Sequence, residues 1–165
     1  MEELLKADSV ETGRARDAAY RYLASRSRSI LEVRKKLREK GFHETAVEIV
    51  IKRLIELGLL DDRDFALRMA RELVSVKGCG RYYIDRKLKE KGIAGELAGE
   101  AIETAFAETD EAGLALRLAL KKIKRPMDDP REKARIGRFL QGRGFSWDII
   151  REVVKELDER KRDQE

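Results

Sequence analysis

The sequence has little of what catalysis, disulfide bonding or metal binding requires. Among 165 residues there is one histidine, His43, and one cysteine, Cys79. This pair cannot make up a zinc site of His and Cys ligands or an internal disulfide bond. His43 lies at the start of a predicted helix, where a capping or surface role explains it. We therefore expect no catalytic residues, no bound metal, no cofactor and no enzymatic activity.

Long hydrophobic runs are also missing. No run approaches the roughly 18–20 apolar residues of a membrane-spanning helix, and the first residues, "MEELLKADSVETG", are acidic and lack the apolar core of a secretory signal. Only 2 prolines and 6% aromatic residues accompany 42% charged residues. This composition favours helices over sheets. We expect a helical, cytoplasmic, monomeric protein with no membrane partner.

Two acidic pairs, Asp61-Asp62 and Asp128-Asp129, are the remaining candidates for holding a cation. One pair lies at a predicted helix start and the other in a predicted linker, so capping and turn formation explain both. The glycine-rich stretch "GCGRYY" lacks the lysine and hydroxyl residue of a phosphate-binding loop. No metal or nucleotide site is predicted.

A repeat runs through the sequence. The stretch "KLREKGF" returns as "KLKEKGI" and, more distantly, as "FLQGRGF", with 51 residues from Gly41 to Gly92 and 52 from Gly92 to Gly144. A fixed period of this size indicates a repeated supersecondary unit. The predicted fold is all-α, a tandem array of three three-helix repeats, elongated and curved. Its predicted divisions are an N-terminal tail (1–13), three repeats (14–60, 61–109 and 110–157) and a C-terminal tail (158–165).

Start and stop signals of the helices support this division. Ser29 and Glu32 fit the S-x-x-E capping box that begins a helix, and Gly41 supplies the left-handed residue that ends it. Asp61 or Asp62 is predicted to cap the first helix of the second repeat, and Ser146 the last helix of the third. Ile55 is predicted to face inward with Leu54.

Basic residues recur near the start of the second helix in each repeat. The chain carries a net charge of +5. Residues 14–62 contain twelve basic and eight acidic residues, and residues 110–157 contain the same numbers. If the repeats stack, these clusters form a positive stripe suited to a polyanion or an acidic partner. The predicted binding residues are Arg26, Arg28, Arg34, Lys35, Arg38, Arg71, Lys77, Arg81 and Arg86.

A second interpretation of the same cations is structural, because helical Lys and Arg often pair with Glu residues one turn away, such as Glu32 and Glu39. Sequence-specific reading of a DNA groove fits poorly. The third helix of the first repeat, "ETAVEIVIKRLIEL", exposes mainly Glu, which repels phosphates. Contact between basic loops and a nucleic-acid backbone stays open.

Three stretches of the sequence together form a specific pattern: "YRYLASRSRSILEVRKKLREKGF", "IKRLIELGLLDDRDFALRMARELVSVKGCGRYYIDRKLKEKGI" and "IGRFLQGRGFSWDIIREVVKEL". These stretches resemble the bacterial RecX family, regulators of the RecA recombinase. The resemblance spans residues 15 to 157, with Cys79 where the family commonly has proline. It implies tandem three-helix repeats, no catalysis, and binding to the RecA–single-stranded-DNA filament, usually inhibiting strand exchange and coprotease activity in DNA repair. The binding role is carried over onto eight of the basic residues above: Arg26, Arg28, Arg34, Lys35, Arg38, Arg71, Lys77 and Arg81.

Two other functions compete with this one. A general nucleic-acid-binding protein without a recombinase partner would bind naked DNA tightly and with strong salt dependence. A protein scaffold that recognises an uncharged surface would be nearly insensitive to salt.

Overall fold

The computed structural model describes residues 2–125 and 127–162, with side chains from residue 10 to residue 160. This part of the chain forms nine α-helices and no strand, as the all-α prediction requires. The helices are α1 (Glu2–Leu23), α2 (Ile30–Glu39), α3 (Glu44–Glu56), α4 (Asp62–Ser75), α5 (Arg81–Glu90), α6 (Gly95–Phe106), α7 (Glu111–Leu120), α8 (Pro130–Gly142) and α9 (Trp147–Arg162).

At both ends of the chain, the helices extend into the residues of the predicted tails. α1 begins at Glu2, so residues 2–13 are helical rather than a tail. This segment contains three Glu and two Leu residues and has no glycine or proline before Gly13, so nothing in it stops a helix. α9 likewise continues to Arg162, past the predicted boundary at residue 157. Residues 1 and 163–165 of the predicted tails, and Pro126 of the third repeat, lie outside the described residues.

The predicted helix signals are confirmed in detail. The side chain of Ser29 accepts a hydrogen bond from the N–H of Glu32, whose carboxylate accepts one from the N–H of Ser29. Gly41 ends the same segment with φ of +82°. The Ser146 hydroxyl accepts from the N–H of Ile149 at 3.3 Å. Asp61 caps α4 by accepting from two N–H groups of its first turn.

One compact unit comprises the chain up to Phe65 together with Lys91–Ile93. α1, α2 and α3 pack against each other in it. Their buried residues form one core cluster, made of Ala15, Ala18, Ala19, Val33, Leu37, Val47, Val50, Ile51, Leu54 and Leu60. Ile55 does not join this core and is 45% exposed, contrary to the prediction. The buried stripe of α3 is narrow, and Ile55 lies beyond its edge in the helix's last turn.

The second compact unit comprises residues 66–90 and 94–165. In it α5 packs on α6, and α7, α8 and α9 pack on one another. One buried cluster of this unit contains Ala115, Ala119, Met127, Ile136, Leu140, Phe145, Ile150, Val153 and Leu157. Cys79 is buried as well, and this burial raises the pKa of its thiol. Its role is therefore packing rather than nucleophilic chemistry.

Candidate functional site

The nine predicted binding cations differ in their contacts within the structure. Some form ion pairs, some lie against an aromatic ring with or without an ion pair, and some have neither contact. They lie on α2, its preceding loop, α4, α5 and the loop between the last two. Arg26, Arg28, Arg34, Lys35 and Arg38 belong to the first compact unit, and Arg71, Lys77, Arg81 and Arg86 to the second. Whether they form one continuous stripe stays a prediction.

Two arginines of α2 are held by carboxylates of α3. The Nε of Arg34 donates to Glu48 at 2.7 Å and its second guanidinium nitrogen at 3.1 Å, a bidentate pair. Arg38 binds Glu44 in the same way, with its Nε at 2.8 Å. The hydrogen bonds raise the pKa of both arginines and lower the pKa of both glutamates. The exposed glutamates of α3, which disfavour reading of a DNA groove by this helix, are therefore ion-pair partners of the arginines of α2.

The Glu32 carboxylate is the shared acceptor of several hydrogen-bond donors around the start of α2. Its carboxylate accepts hydrogen bonds from Arg26 at 2.7 Å, from Lys91 at 2.8 Å and from the N–H of Ser29 at 3.1 Å. Burial raises the pKa of Glu32, but these donors outweigh it and lower the pKa to about 2. Arg26 is thereby engaged within the first unit. The structural interpretation of the cations is correct for this residue.

Arg28 is positioned by an aromatic ring. Its guanidinium carbon lies 4.1 Å from the centre of the Tyr22 ring, and its terminal nitrogen donates to the Ser25 hydroxyl at 2.9 Å. The Nε of Arg28 is buried without a hydrogen-bond partner among the described residues. Tyr22 therefore contributes a cation-π contact to the basic loop in addition to packing on the core.

Arg81 is the most engaged cation of the second unit. It donates to Glu111 at 2.9 Å and to Glu103 at 2.5 Å, and it lies 4.8 Å from the centre of the Phe106 ring. Its backbone N–H donates to the same Glu111 carboxylate. Burial lowers the pKa of Arg81, but the two carboxylates outweigh it and the pKa is raised. The residue links α5, α6 and α7.

Besides Arg28, four predicted cations form no ion pair with the described residues: Lys35, Arg71, Lys77 and Arg86. All four are exposed, and Arg86 lies 5.1 Å from the centre of the Tyr83 ring. Lys77 is the last residue before the Gly78 turn, and its carbonyl accepts from the Arg143 guanidinium. These cations have charge available for an anionic partner without breaking an existing contact.

The basic cluster of the third repeat divides in the same way. Arg135 binds the buried carboxylate of Glu132, and Lys133 pairs with Asp158 at 3.1 Å. Hydrogen bonds from Arg135 and from the N–H groups of Lys124 and Arg125 lower the pKa of Glu132 to about 2. Burial of this carboxylate could not be predicted from the sequence, since a glutamate in the first turn of a helix is normally exposed.

The side chains considered as possible catalytic or metal-binding groups lie at the starts of helices. His43 precedes α3, its side chain makes no capping bond, and its N–H donates to Glu11 at 2.9 Å. Asp62 accepts from the N–H of Ile30 at 2.8 Å, and Asp129 caps α8. No cluster of three potential metal ligands occurs among the described residues. Nor does any described helix have the length and apolar character that crossing a bilayer requires.

The fold and the surface together define a tandem three-helix repeat protein with many charged side chains on its helices. Comparison with known families matches each repeat in turn. Residues 15–54 match the model for the first three-helix domain of RecX, residues 61–102 the second and residues 109–154 the third. The chain belongs to the RecX family of regulatory proteins.

Individual relatives and structures agree with this assignment. The chain is 35% identical over 150 residues to the regulatory protein RecX of Prosthecochloris aestuarii, covering 89% of this chain and 95% of that one. It is 34% identical over 149 residues to that of Chlorobaculum tepidum, covering 90% and 91%. The crystal structure of RecX from Lactobacillus salivarius superimposes with a TM-score of 0.80 at 28% identity, covering 91% and 98%. The predicted resemblance is confirmed.

Proposed function

We propose that the protein binds the RecA–single-stranded-DNA filament in the cytoplasm and inhibits its recombinase and coprotease activities during DNA repair. The observation that carries the proposal is membership of the RecX regulatory family through all three of its three-helix domains. The protein acts by binding, as a monomer and without a cofactor. The filament is a repeating, negatively charged partner, which suits a protein that repeats its own basic clusters.

The unpaired cations are the proposed principal contacts. Lys35 on α2, Arg71 on α4 and Lys77 after α4 are exposed and carry no ion pair with the described residues. A cation without an internal partner gives up only water when it meets a carboxylate or a phosphate. Each such contact between exposed charges contributes roughly 0.2–1 kcal/mol. Several together favour binding and accelerate the encounter at low salt.

The ion-paired arginines are proposed as secondary contacts. Arg34 and Arg38 are half-buried or exposed and are already held by Glu48 and Glu44. Exchanging such a partner for a carboxylate or a phosphate of the filament yields little net free energy, because the internal pair is lost. They therefore fix the shape of the surface more than they add affinity.

The proposal is tested by adding the purified protein to RecA filaments and following ATP hydrolysis and DNA strand exchange. Both rates should fall at stoichiometric protein, and the effect should weaken as salt rises because exposed charges are screened. Unchanged rates at a stoichiometric excess would contradict the proposal.

Naked single-stranded DNA distinguishes the competing functions. Filament binding should be tighter than binding to the same DNA without RecA at equal salt. Equal affinity for both, with a steep salt dependence, would identify a general nucleic-acid-binding protein. Filament binding that ignores salt would identify a scaffold that recognises an uncharged surface.

A further inference from the structure

An apolar groove lies between α8 and α9, and none of the nine predicted binding cations lines it. Its cavity is about 550 Å³ and is lined mainly by carbon. Gly137 and Ile150 are buried at its base, with Ala134 and Val154 beside them. We call this cavity and its rim the α8–α9 groove. A cavity of this size accommodates several side chains of a partner.

Gly137 has no side chain and therefore leaves space at the base of the α8–α9 groove. It lies in the interior of α8 and its φ is not positive, so the backbone does not require glycine. A Cβ added there would lie 3.8 Å from Cγ2 of Ile150, an ordinary contact. Alanine would fit and would stabilise the helix by about 1 kcal/mol. Glycine at this position thus gives up helix stability and leaves room above Ile150.

Trp147 stands at one end of the groove. It is the first residue of α9 and is 61% exposed, although it is the only tryptophan of the chain. Asp158, at the other end, lies eleven residues further along α9, about 16 Å away at 1.5 Å per residue. Tryptophan is among the residues most enriched at the centre of protein interfaces. The groove therefore matches about three turns of a partner helix.

The rim of the groove is basic on both sides. Lys133 and Arg138 line it from α8, and Arg151 and Lys155 from α9. Arg138 has no ion pair with the described residues. Lys155 reaches Glu159 only at 3.8 Å, and Arg151 pairs with Asp148 on the same helix; all four of these paired side chains are exposed. Such exposed pairs contribute little, so these cations can turn to a partner. Among the residues that the structure describes, Asp158, held by Lys133, is the one acidic residue that lines this groove.

From the apolar base, the exposed tryptophan and the basic rim, we propose that the α8–α9 groove binds an acidic amphipathic helix of a partner protein. Apolar side chains spaced three and four residues apart enter the groove, and flanking carboxylates meet Arg138, Arg151 and Lys155. A nucleic-acid strand fits less well, because its phosphates would use the rim but leave most of the apolar base uncovered. The inference does not depend on binding to RecA.

The experiment uses the full chain and the fluorescence of Trp147. The probe is a synthetic 16-residue peptide with leucines on one helical face and glutamates on both flanks. Its control is a peptide of the same composition whose leucines are spread around the helix. The amphipathic peptide should shift the emission to the blue and saturate, and the control should do neither.

Two variants place the peptide in the groove. Gly137→Leu fills the base and should abolish saturable binding, while Arg138→Glu should weaken it about tenfold by reversing one rim charge. Arg131→Glu, the same change on the same helix but outside the groove, should bind as the unmodified chain does. Circular dichroism confirms that each variant is folded. Should Gly137→Leu unfold, the pair Arg138→Glu and Arg131→Glu still decides.

Five outcomes would overturn the proposal. An equal response to both peptides removes the helix requirement, and the absence of a saturable response shows that the groove does not bind the peptide. Equal effects of Arg138→Glu and Arg131→Glu place binding elsewhere. A saturable blue shift with a 15-residue oligothymidylate but not with the amphipathic peptide identifies a nucleic-acid surface. A concentration-dependent blue shift without peptide, with dimers in sedimentation, identifies a second copy of the chain as the occupant.

Discussion

Gly41 and Gly144 occupy the same place in two copies of one turn, yet their surroundings differ. Both have φ of +82° and both follow the second helix of a three-helix unit. A Cβ added to Gly41 would meet nothing within 4 Å, whereas one added to Gly144 would lie 2.2 Å from the backbone nitrogen of Tyr83. One turn is therefore open and the other is packed against neighbouring backbone.

The turn at Gly144 connects the end of α8 to the start of α5 by backbone hydrogen bonds within the second unit. The carbonyl of Gly144 accepts from the N–H of Tyr82 at 3.1 Å, and that of Arg143 accepts from the N–H of Gly80 at 2.8 Å. These bonds provide partners for N–H groups at the start of α5, which that helix cannot satisfy internally. Repetition of a motif in the sequence therefore shows where a turn forms, while its packing depends on what lies against it.

Gly144→Ala should have the largest effect among the turn variants. The left-handed backbone costs about 1–2 kcal/mol for a residue with a Cβ, and the clash with Tyr83 adds overpacking of similar size. We expect the free energy of unfolding to fall by about 3 kcal/mol in urea denaturation monitored by circular dichroism. A loss below about 1 kcal/mol would show that the turn is not tightly packed.

Gly92→Ala should come second. An added Cβ would lie 2.8 Å from Cβ and 2.9 Å from Cδ2 of Leu31, but the Leu31 side chain is exposed and can move in part. With the left-handed backbone, φ of +80°, the expected loss is about 2 kcal/mol in the same urea assay. A loss equal to that of Gly144→Ala would mean that Leu31 cannot yield.

The ion pair beside the Gly92 turn should make stability depend on pH. The pKa of Glu32 is about 2 in the folded chain and about 4.3 when unfolded. Its stabilisation is therefore complete above pH 5 and is lost as the pH falls toward 2. After allowance for solvent screening we expect about 1.5 kcal/mol. Glu32→Gln should remove this part of the pH dependence, and an unchanged acid limb would contradict the assignment.

Gly41→Ala should have the smallest effect of this series. Only the left-handed backbone opposes it, so the free energy of unfolding should fall by about 1 kcal/mol. The thermal midpoint should follow the same order, with Gly144→Ala lowest and Gly41→Ala highest. A loss comparable to that of Gly144→Ala would show that the Gly41 turn has a packing partner.

Local features of the fold could be predicted from the sequence because they depend on neighbours along the chain. The capping box of Ser29 and the left-handed Gly41 are examples. The division between Asp61, a helix cap, and Asp62, which binds the N–H of Ile30, could not be predicted, because Ile30 lies 32 residues away. The exposed Ile55 shows the limit of periodicity at a helix end.

The candidate site was less predictable for the same reason. The sequence predicts a recurring basic cluster, but the pairs Arg34–Glu48 and Arg81–Glu111 join residues 14 and 30 positions apart. Only the packed helices reveal which cations are neutralised internally. The sequence therefore predicts nine candidates, and the structure distinguishes Lys35, Arg71, Lys77 and Arg86, which are exposed and have no ion pair with described residues.

The most direct test of the account compares an unpaired-cation variant with a turn variant in the filament assay. Charge reversal of Lys35, Arg71 and Lys77 together should weaken inhibition of RecA-driven strand exchange by at least about tenfold, because three contacts are lost. Gly41→Ala, which alters the repeated motif but no charge, should inhibit as the unmodified chain does. Full inhibition by the charge-reversal variant, or loss of inhibition by folded Gly41→Ala, would contradict the assignment of binding to the unpaired cations.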